Sequence, residues 1–248
     1  MENQEKQTEK KETREELLAR IAQIPDKQDL TLVEKKHEYG DIYSFLFKPE
    51  RPVHYAAGQY IHMLVHDLPE DVKPTHHFSI ASAPSSDELV QFTTHVREGS
   101  AYKQAFAKLA PGDKVSIFKV KGDFIMPENV HTETVLIAGG IGITPFRAMM
   151  REEAHENCGR PITLVHVASD GYLFESELSQ LPFSQHRIKR EELDSYLTEL
   201  AKEKKDATFF VSGPPPFVDA LKEKLMTRGI PENRIKQDWF DGYENVTI

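Results

Sequence analysis

The chain has 248 residues, 39% hydrophobic and 29% charged, enough for one large or two ordinary domains with a buried core. A formal net charge of −9 argues against sequence-independent binding to nucleic acid, where Lys and Arg must neutralise phosphates, and makes a basic or neutral partner easier to accommodate than an acidic one. No apolar run reaches the ~18 residues of a membrane span, and the single cysteine, Cys158, excludes an intramolecular disulfide and a four-thiolate iron–sulfur cluster.

The opening "MENQEKQTEKKETREE" is charged from its second residue and lacks the apolar core of a signal peptide, which predicts a cytoplasmic protein. Leu17, Leu18, Ile21 and Ile24 then follow at helical spacing until Pro25 ends the pattern. Residues 1–27 therefore read as a charged tail with one short helix, either packed on the body or on a partner or, as the composition favours, a solvated extension.

Residues 28–127 read as strands. "DLTLVEKK", "IYSFLFK", "QYIHMLVH", "HHFSIAS", "LVQFTTHVR" and "DKVSIFKV" are short, rich in β-branched and aromatic residues, and separated by Gly, Pro and Asp turns. Six such strands predict an antiparallel barrel, interrupted by a helix over 101–109. His62 and His66 share one strand face, and the reading favours a polar barrel face over a metal site. Cys158 reads as a bystander thiol in a helix-end turn.

Residues 130–248 alternate strand and helix, from "ETVLIAGG" through "PITLVHVAS", "HRIKR" and "ATFFVSG" to "IKQDWF". This predicts a doubly wound α/β domain with a parallel sheet, the boundary falling near 126–132.

Two strand ends in the second domain carry chemistry. "VLIAGGIGITPF" places Gly139, Gly140 and Gly142 before a helix opened by Thr144 and Pro145, where the backbone can approach a pyrophosphate. It is not the full Gly-x-Gly-x-x-Gly fingerprint, since Pro145 stands where the last glycine would be. "FFVSGPPPF" repeats the arrangement with Ser212, Gly213 and Pro214. Ligands bind beyond the carboxyl ends of such strands, so the pair points to a dinucleotide crevice. In the first domain, Phe78 offers a flat apolar face and Ser79 a hydroxyl, while Arg97 and the Gly99-Ser100 helix start suit phosphate.

In this order the motifs resemble those of the ferredoxin–NADP reductase superfamily over about residues 28–243. "HHFSIASAP" looks like its Arg-x-Tyr-Ser flavin motif, "REGSAY" its flavin-phosphate segment, and "KVKGDF" the turn that closes its barrel. "LIAGGIGITPF", "VSGPPPF" and "DWFDGY" look like its nicotinamide segments and its C-terminal acidic-x-aromatic ending. The resemblance implies that His76, His77, Phe78 and Ser79 contact the flavin, with Ser79 near N5. It implies that His95, Val96 and Arg97 line the ribityl and phosphate path, and that Gly99, Ser100, Ala101 and Tyr102 hold the phosphate. It gives Gly140, Gly142, Thr144, Pro145, Ser212, Gly213 and Pro214 to the nicotinamide nucleotide, and Phe240 to the cofactor. Ser79, Ser212 and Asp238 become the candidate catalytic residues.

The departures are His76 for arginine, a stand-in whose charge depends on pH, Phe78 for tyrosine, Tyr102 for serine or threonine, Ser212 for cysteine and Asp238 for glutamate. The implied function is a flavin-dependent oxidoreductase passing electrons from NAD(P)H through FAD to a separate acceptor, whether a small redox protein, a haem protein or a small molecule. FAD is favoured over FMN. Asp170 at the ribose position tilts the donor to NADH over NADPH, against Arg187, Lys189 and Arg190 nearby. The alternatives are a non-catalytic flavin-binding subunit or sensor and a free-flavin reductase.

Overall fold

A computed structural model describes residues 13–66 and 68–239. Residues 1–12, Phe240 and the rest of "DGYENVTI" lie outside the described residues.

The first sheet has six antiparallel strands: β1 (Gln28–Tyr39), β2 (Ile42–Pro49), β3 (Tyr60–Val65), β4 (Thr75–Ser79), β5 (Val90–His95) and β6 (Lys114–Lys121), in spatial order β4-β3-β6-β1-β2-β5. Alternation sends Leu30, Leu32, Phe45, Phe47, Ile61, Met63, Phe92 and Ile117 inward. The outer strands approach where the Ala81 N–H donates to Gln91 O at 2.8 Å, so the sheet curls into a half-barrel. Helix α2 (Ala101–Lys108) plugs the interior with Phe106, whose ring stacks on Phe78 at 5.3 Å.

The N-terminal helix α1 (Arg14–Ala22) corrects the expectation of a solvated extension. Ile21 is fully buried against Leu64 and Phe118, with Leu17, Leu18 and Ile24 packed around them. Arg14 donates to the carbonyls of Leu68 and Val72. Thr13 and Glu16 form a reciprocal capping box, which fixes the helix start.

The second sheet is parallel, in order β11-β10-β7-β8-β9, with β7 (Thr134–Gly139), β8 (Ile162–Val167), β9 (Ser184–Ile188), β10 (Thr208–Gly213) and β11 (Ile235–Trp239). Strands β7 and β8 are buried along their whole length, as strands covered on both faces require. The helices are α3 (Ile143–Glu156), α4 (Glu175–Leu178), α5 (Leu193–Glu203) and α6 (Pro215–Thr227). The chain runs outward from β7 to β8 and β9, then returns to β10 on the other side of β7. The switch point thus lies between the ends of β7 and β10, where a ligand crevice is expected.

The two sheets are joined by ions as well as apolar side chains. Arg147 of α3 donates to Ala81 O (2.6 Å), Asp87 (3.3 Å) and Glu177 (2.7 and 2.8 Å). Arg151, one turn on, pairs with the same two carboxylates. Phe124 of the first unit packs edge-on against Phe210 of β10, ring centroids 5.1 Å apart. No helix among the described residues is long and apolar enough to cross a membrane.

Candidate functional site

Two cavities meet along the seam between the sheets. The first, about 350 Å³, is lined by Tyr60, His76, His77, Phe78, Ser79, Thr93, Thr94, His95 and Lys103 from the half-barrel. Gly122, Asp123 and Phe124 and, from the second unit, Ile141, Gln237, Asp238 and Trp239 complete it. The second, about 400 Å³, lies over the ends of β7, β8 and β10 and is closed by Tyr39, Asp41, His95 and Arg97 of the half-barrel. His95 and Ile141 line both. Each cavity falls in the size range of ligand pockets, about 300–1,000 Å³.

Pairing places the first cavity's residues. Register sets Tyr60 opposite Ser79, Ile61 opposite Phe78 and His62 opposite His77. Ser79 donates to Asp238 across the seam at 3.5 Å, and Asp238 sits opposite Ser212 in the parallel ladder. Trp239 is held by its indole N–H on Asp219 of α6 at 3.1 Å.

His76 sits among aromatic rings, 5.0 Å from Phe78, 5.4 Å from Tyr102 and 5.4 Å from His77. Burial, reinforced by the charge of Lys103, pushes its pKa down to about 4. The expected cationic stand-in is therefore a neutral imidazole at neutral pH. Phe78 is only 6% exposed and belongs mainly to the barrel core.

The phosphate segment is also placed differently. Tyr102 is buried, its hydroxyl donating to Met63 O at 3.1 Å, and burial raises its pKa well above the usual value. The Ser100 hydroxyl accepts from the Lys103 N–H and caps α2. Gly99, Ser100, Ala101 and Tyr102 line neither cavity. Val96 packs against the barrel core. Arg97 reaches the second cavity, its Nε on Asp41 at 3.0 Å, while His95 Nδ1 meets the other oxygen of Asp41 at 2.6 Å. Burial alone would raise the Asp41 carboxyl, but the hydrogen bonds and charges of His95 and Arg97 outweigh it and hold it below the usual range.

In the second cavity, Gly139, Gly140 and Pro214 line the floor and Asp170 the rim. Gly140 has φ +54°, and its carbonyl accepts from His166 Nε2 at 2.9 Å. A Cβ on Gly142 would stand 2.2 Å from Ser212 O, so the approach of β7 to β10 needs glycine. Thr144 and Pro145 are buried, the Thr144 hydroxyl bonding Ile141 O at 2.7 Å; they shape the turn and line neither cavity. Gly142, Ser212 and Gly213 likewise sit beneath the crevice, and the buried Ser212 Oγ has no partner among the described residues. Of the three basic residues near Asp170, only Arg190 lines the cavity; Arg187 is paired with Glu175 at 3.0 Å.

Sequence reading missed Lys103, Asp41, His166, Gln237 and Arg147. His66 bonds Ser116 at 3.1 Å and His62 stacks on Phe118, ring uses that account for that strand face. Cys158 bonds Glu153 at 2.8 Å, which raises its thiol pKa.

The oxidoreductase NAD-binding domain family matches residues 136–187, from within β7 to within β9. Flavohemoprotein A of Dictyostelium discoideum is 29% identical over 250 residues, covering 89% of this chain and 62% of that protein. Among solved structures, the flavohem-like FAD/NAD binding domain of nitric oxide dioxygenase from Vibrio cholerae O1 biovar El Tor superposes with TM-score 0.70 at 22% identity, over 86% of this chain and 98% of that one. The ferredoxin–NADP+ reductase of Plasmodium falciparum superposes with TM-score 0.72 at 14% identity, over 87% and 97%. These two likenesses show the fold. The chain spans about three fifths of the length of the flavohemoproteins it matches.

Proposed function

We propose that this chain is a member of the ferredoxin–NADP reductase superfamily and a flavin-dependent oxidoreductase carrying electrons from NAD(P)H through FAD to a separate acceptor. The observation that carries this reading is the meeting of the two cavities at His95 and Ile141, beside the Ser79–Asp238 contact.

The residues present fit a flat polar ring with a phosphorylated tail. The first cavity offers an aromatic wall in Tyr60, Phe78 and Phe124, hydroxyls in Ser79, Thr93 and Thr94, and one lysine. Gln237 Nε2 is buried there without a partner among the described residues, as expected of a donor meant for a ligand. When bound, the flavin supplies hydride acceptance from the nicotinamide and onward transfer of electrons. The chain's own residues align and exclude. Ser79 presents its hydroxyl between the ring site and the Asp238 carboxylate. Gly140 and Gly142 let the nicotinamide nucleotide approach the ends of β7 and β10, and Ile141 brings that turn to the edge of the first cavity. Asp170 on the rim favours a free ribose hydroxyl, hence NADH, with Arg190 as the opposing cation.

The test is an anaerobic titration of the purified protein, reconstituted with FAD, using NADH and then NADPH. Rapid bleaching of the flavin band by one of them is expected. A bound flavin that neither nucleotide reduces would reassign the chain to the non-catalytic binding modules, and failure to bind flavin would sink the reading.

A further inference from the structure

We infer that Lys103 is the residue that recognises the phosphate of the flavin nucleotide, so that the cation of the site comes from α2 rather than from β4. This rests on the flavin reading of the first cavity.

A flavin nucleotide brings an anionic phosphate, and the motif that "HHFSIASAP" resembles carries an arginine. That position holds His76, a neutral imidazole enclosed by aromatic rings. Arg97, the cation closest in sequence, is spent on Asp41 and lines the other cavity. Among the described residues lining the first cavity, Lys103 is the only Lys or Arg.

Lys103 is placed for the task by local structure. Ser100 caps α2 by accepting from the Lys103 N–H at 3.3 Å, which fixes the backbone beneath the side chain. The neighbouring Tyr102 and Phe106 are buried in the barrel, anchoring the helix face on which Lys103 stands beside them. None of the hydrogen bonds or ion pairs among the described residues uses its ammonium, although the side chain is half-buried. Burial is the largest influence and lowers its pKa; Arg97 adds to the effect and Asp41 opposes it. A half-buried ammonium that lines a cavity and is held by no ion pair among the described residues is a site for a ligand anion.

The experiment compares riboflavin, which has no phosphate, with FMN and FAD, followed by quenching of flavin fluorescence. The full chain is used as wild type, Lys103→Met and Lys103→Arg. Wild type should bind FMN and FAD more tightly than riboflavin. Lys103→Met should weaken FMN and FAD by about ten- to a hundredfold, the loss of one charge-assisted hydrogen bond, and leave riboflavin unchanged. Lys103→Arg should restore the preference. An unchanged ratio of FMN to riboflavin affinity in Lys103→Met would overturn the assignment. Equal loss of all three ligands would overturn it too, in favour of a structural role for the side chain. Wild type that binds none of the three would instead overturn the flavin reading of the cavity, and this one with it.

Discussion

The hydroxyl of Ser79, on the last residue of β4, donates to the carboxylate of Asp238 on β11 at 3.5 Å, and so links the half-barrel to the edge of the parallel sheet. The contact is long for an O–H···O bond, leaving the hydroxyl able to turn toward a ligand in the cavity both residues line. Ser79→Ala should retain flavin within a few-fold while slowing its reduction by NAD(P)H by about tenfold or more, the size of one lost polar contact in the transition state. Stopped-flow bleaching with equal flavin loading checks it. An unaltered rate would remove Ser79 from the catalytic set.

The arginine clamp predicts a stability effect. The Arg147 side chain is only 9% exposed and meets Asp87 and Glu177. Removing Arg147 leaves both carboxylates to Arg151 alone and strips the Ala81 carbonyl of its donor, a loss of about 1–3 kcal/mol. Arg147→Met should therefore lower the urea midpoint sharply. Lys202→Ala, which breaks only the exposed pair with Glu199, should leave it within about 0.5 kcal/mol of wild type.

Two buried imidazoles set an acid limit. His76 and His166 have pKa values pushed down to about 4 from the ordinary 6.5, both chiefly by burial. The unfolded chain binds these protons at a higher pH than the folded one. Their contribution is therefore fully present above about pH 6.5 and is lost as pH falls toward 4. Urea midpoints measured across that window should fall, and His166→Gln should flatten the slope. A slope identical to wild type would exclude His166 as a source.

Two glycines should behave oppositely. Gly142→Ala puts a methyl 2.2 Å from the Ser212 carbonyl, against backbone that cannot step aside. It should cost about 1–3 kcal/mol or more and weaken nicotinamide nucleotide binding. Gly99→Ala meets nothing within 4 Å and should be silent in both thermal melting and ligand titration.

Donor choice is testable at the rim of the second cavity. Asp170→Ser should raise kcat/KM for NADPH relative to NADH, and Arg190→Ala should shift the ratio the other way. Steady-state rates with both nucleotides decide it, and an unmoved ratio in both variants would place the adenosine ribose elsewhere.

The strands were legible because their periods are physical. Alternating residues such as Leu30 and Leu32 or Phe45 and Phe47 fill the barrel, and the continuous apolar run of β7 is covered on both faces. The glycine turns were legible for the same reason, since close backbone approach admits no other residue. Long-range pairing was not. Arg147 and Arg151 stand at helical spacing in "FRAMMREE", but their partner Asp87 arrives from a turn about sixty residues earlier, and nothing local announces it. Helix α1 carries too few apolar residues for its pattern to separate docking from exposure. Arg97 and Lys103 illustrate the limit most clearly: six positions apart in sequence, they line different cavities.

Hydride and electron transfer fall steeply as donor and acceptor separate, and a misplacement of about 1 Å can cost a hundredfold in rate. The two walls of this seam belong to different sheets, so their spacing is inherited from whatever fastens one sheet to the other. Asp87 and Glu177 line neither of the two cavities, yet both hold the arginines that do the fastening. Under the proposed function, the transfer rate is therefore open to tuning by mutation at positions that line neither cavity.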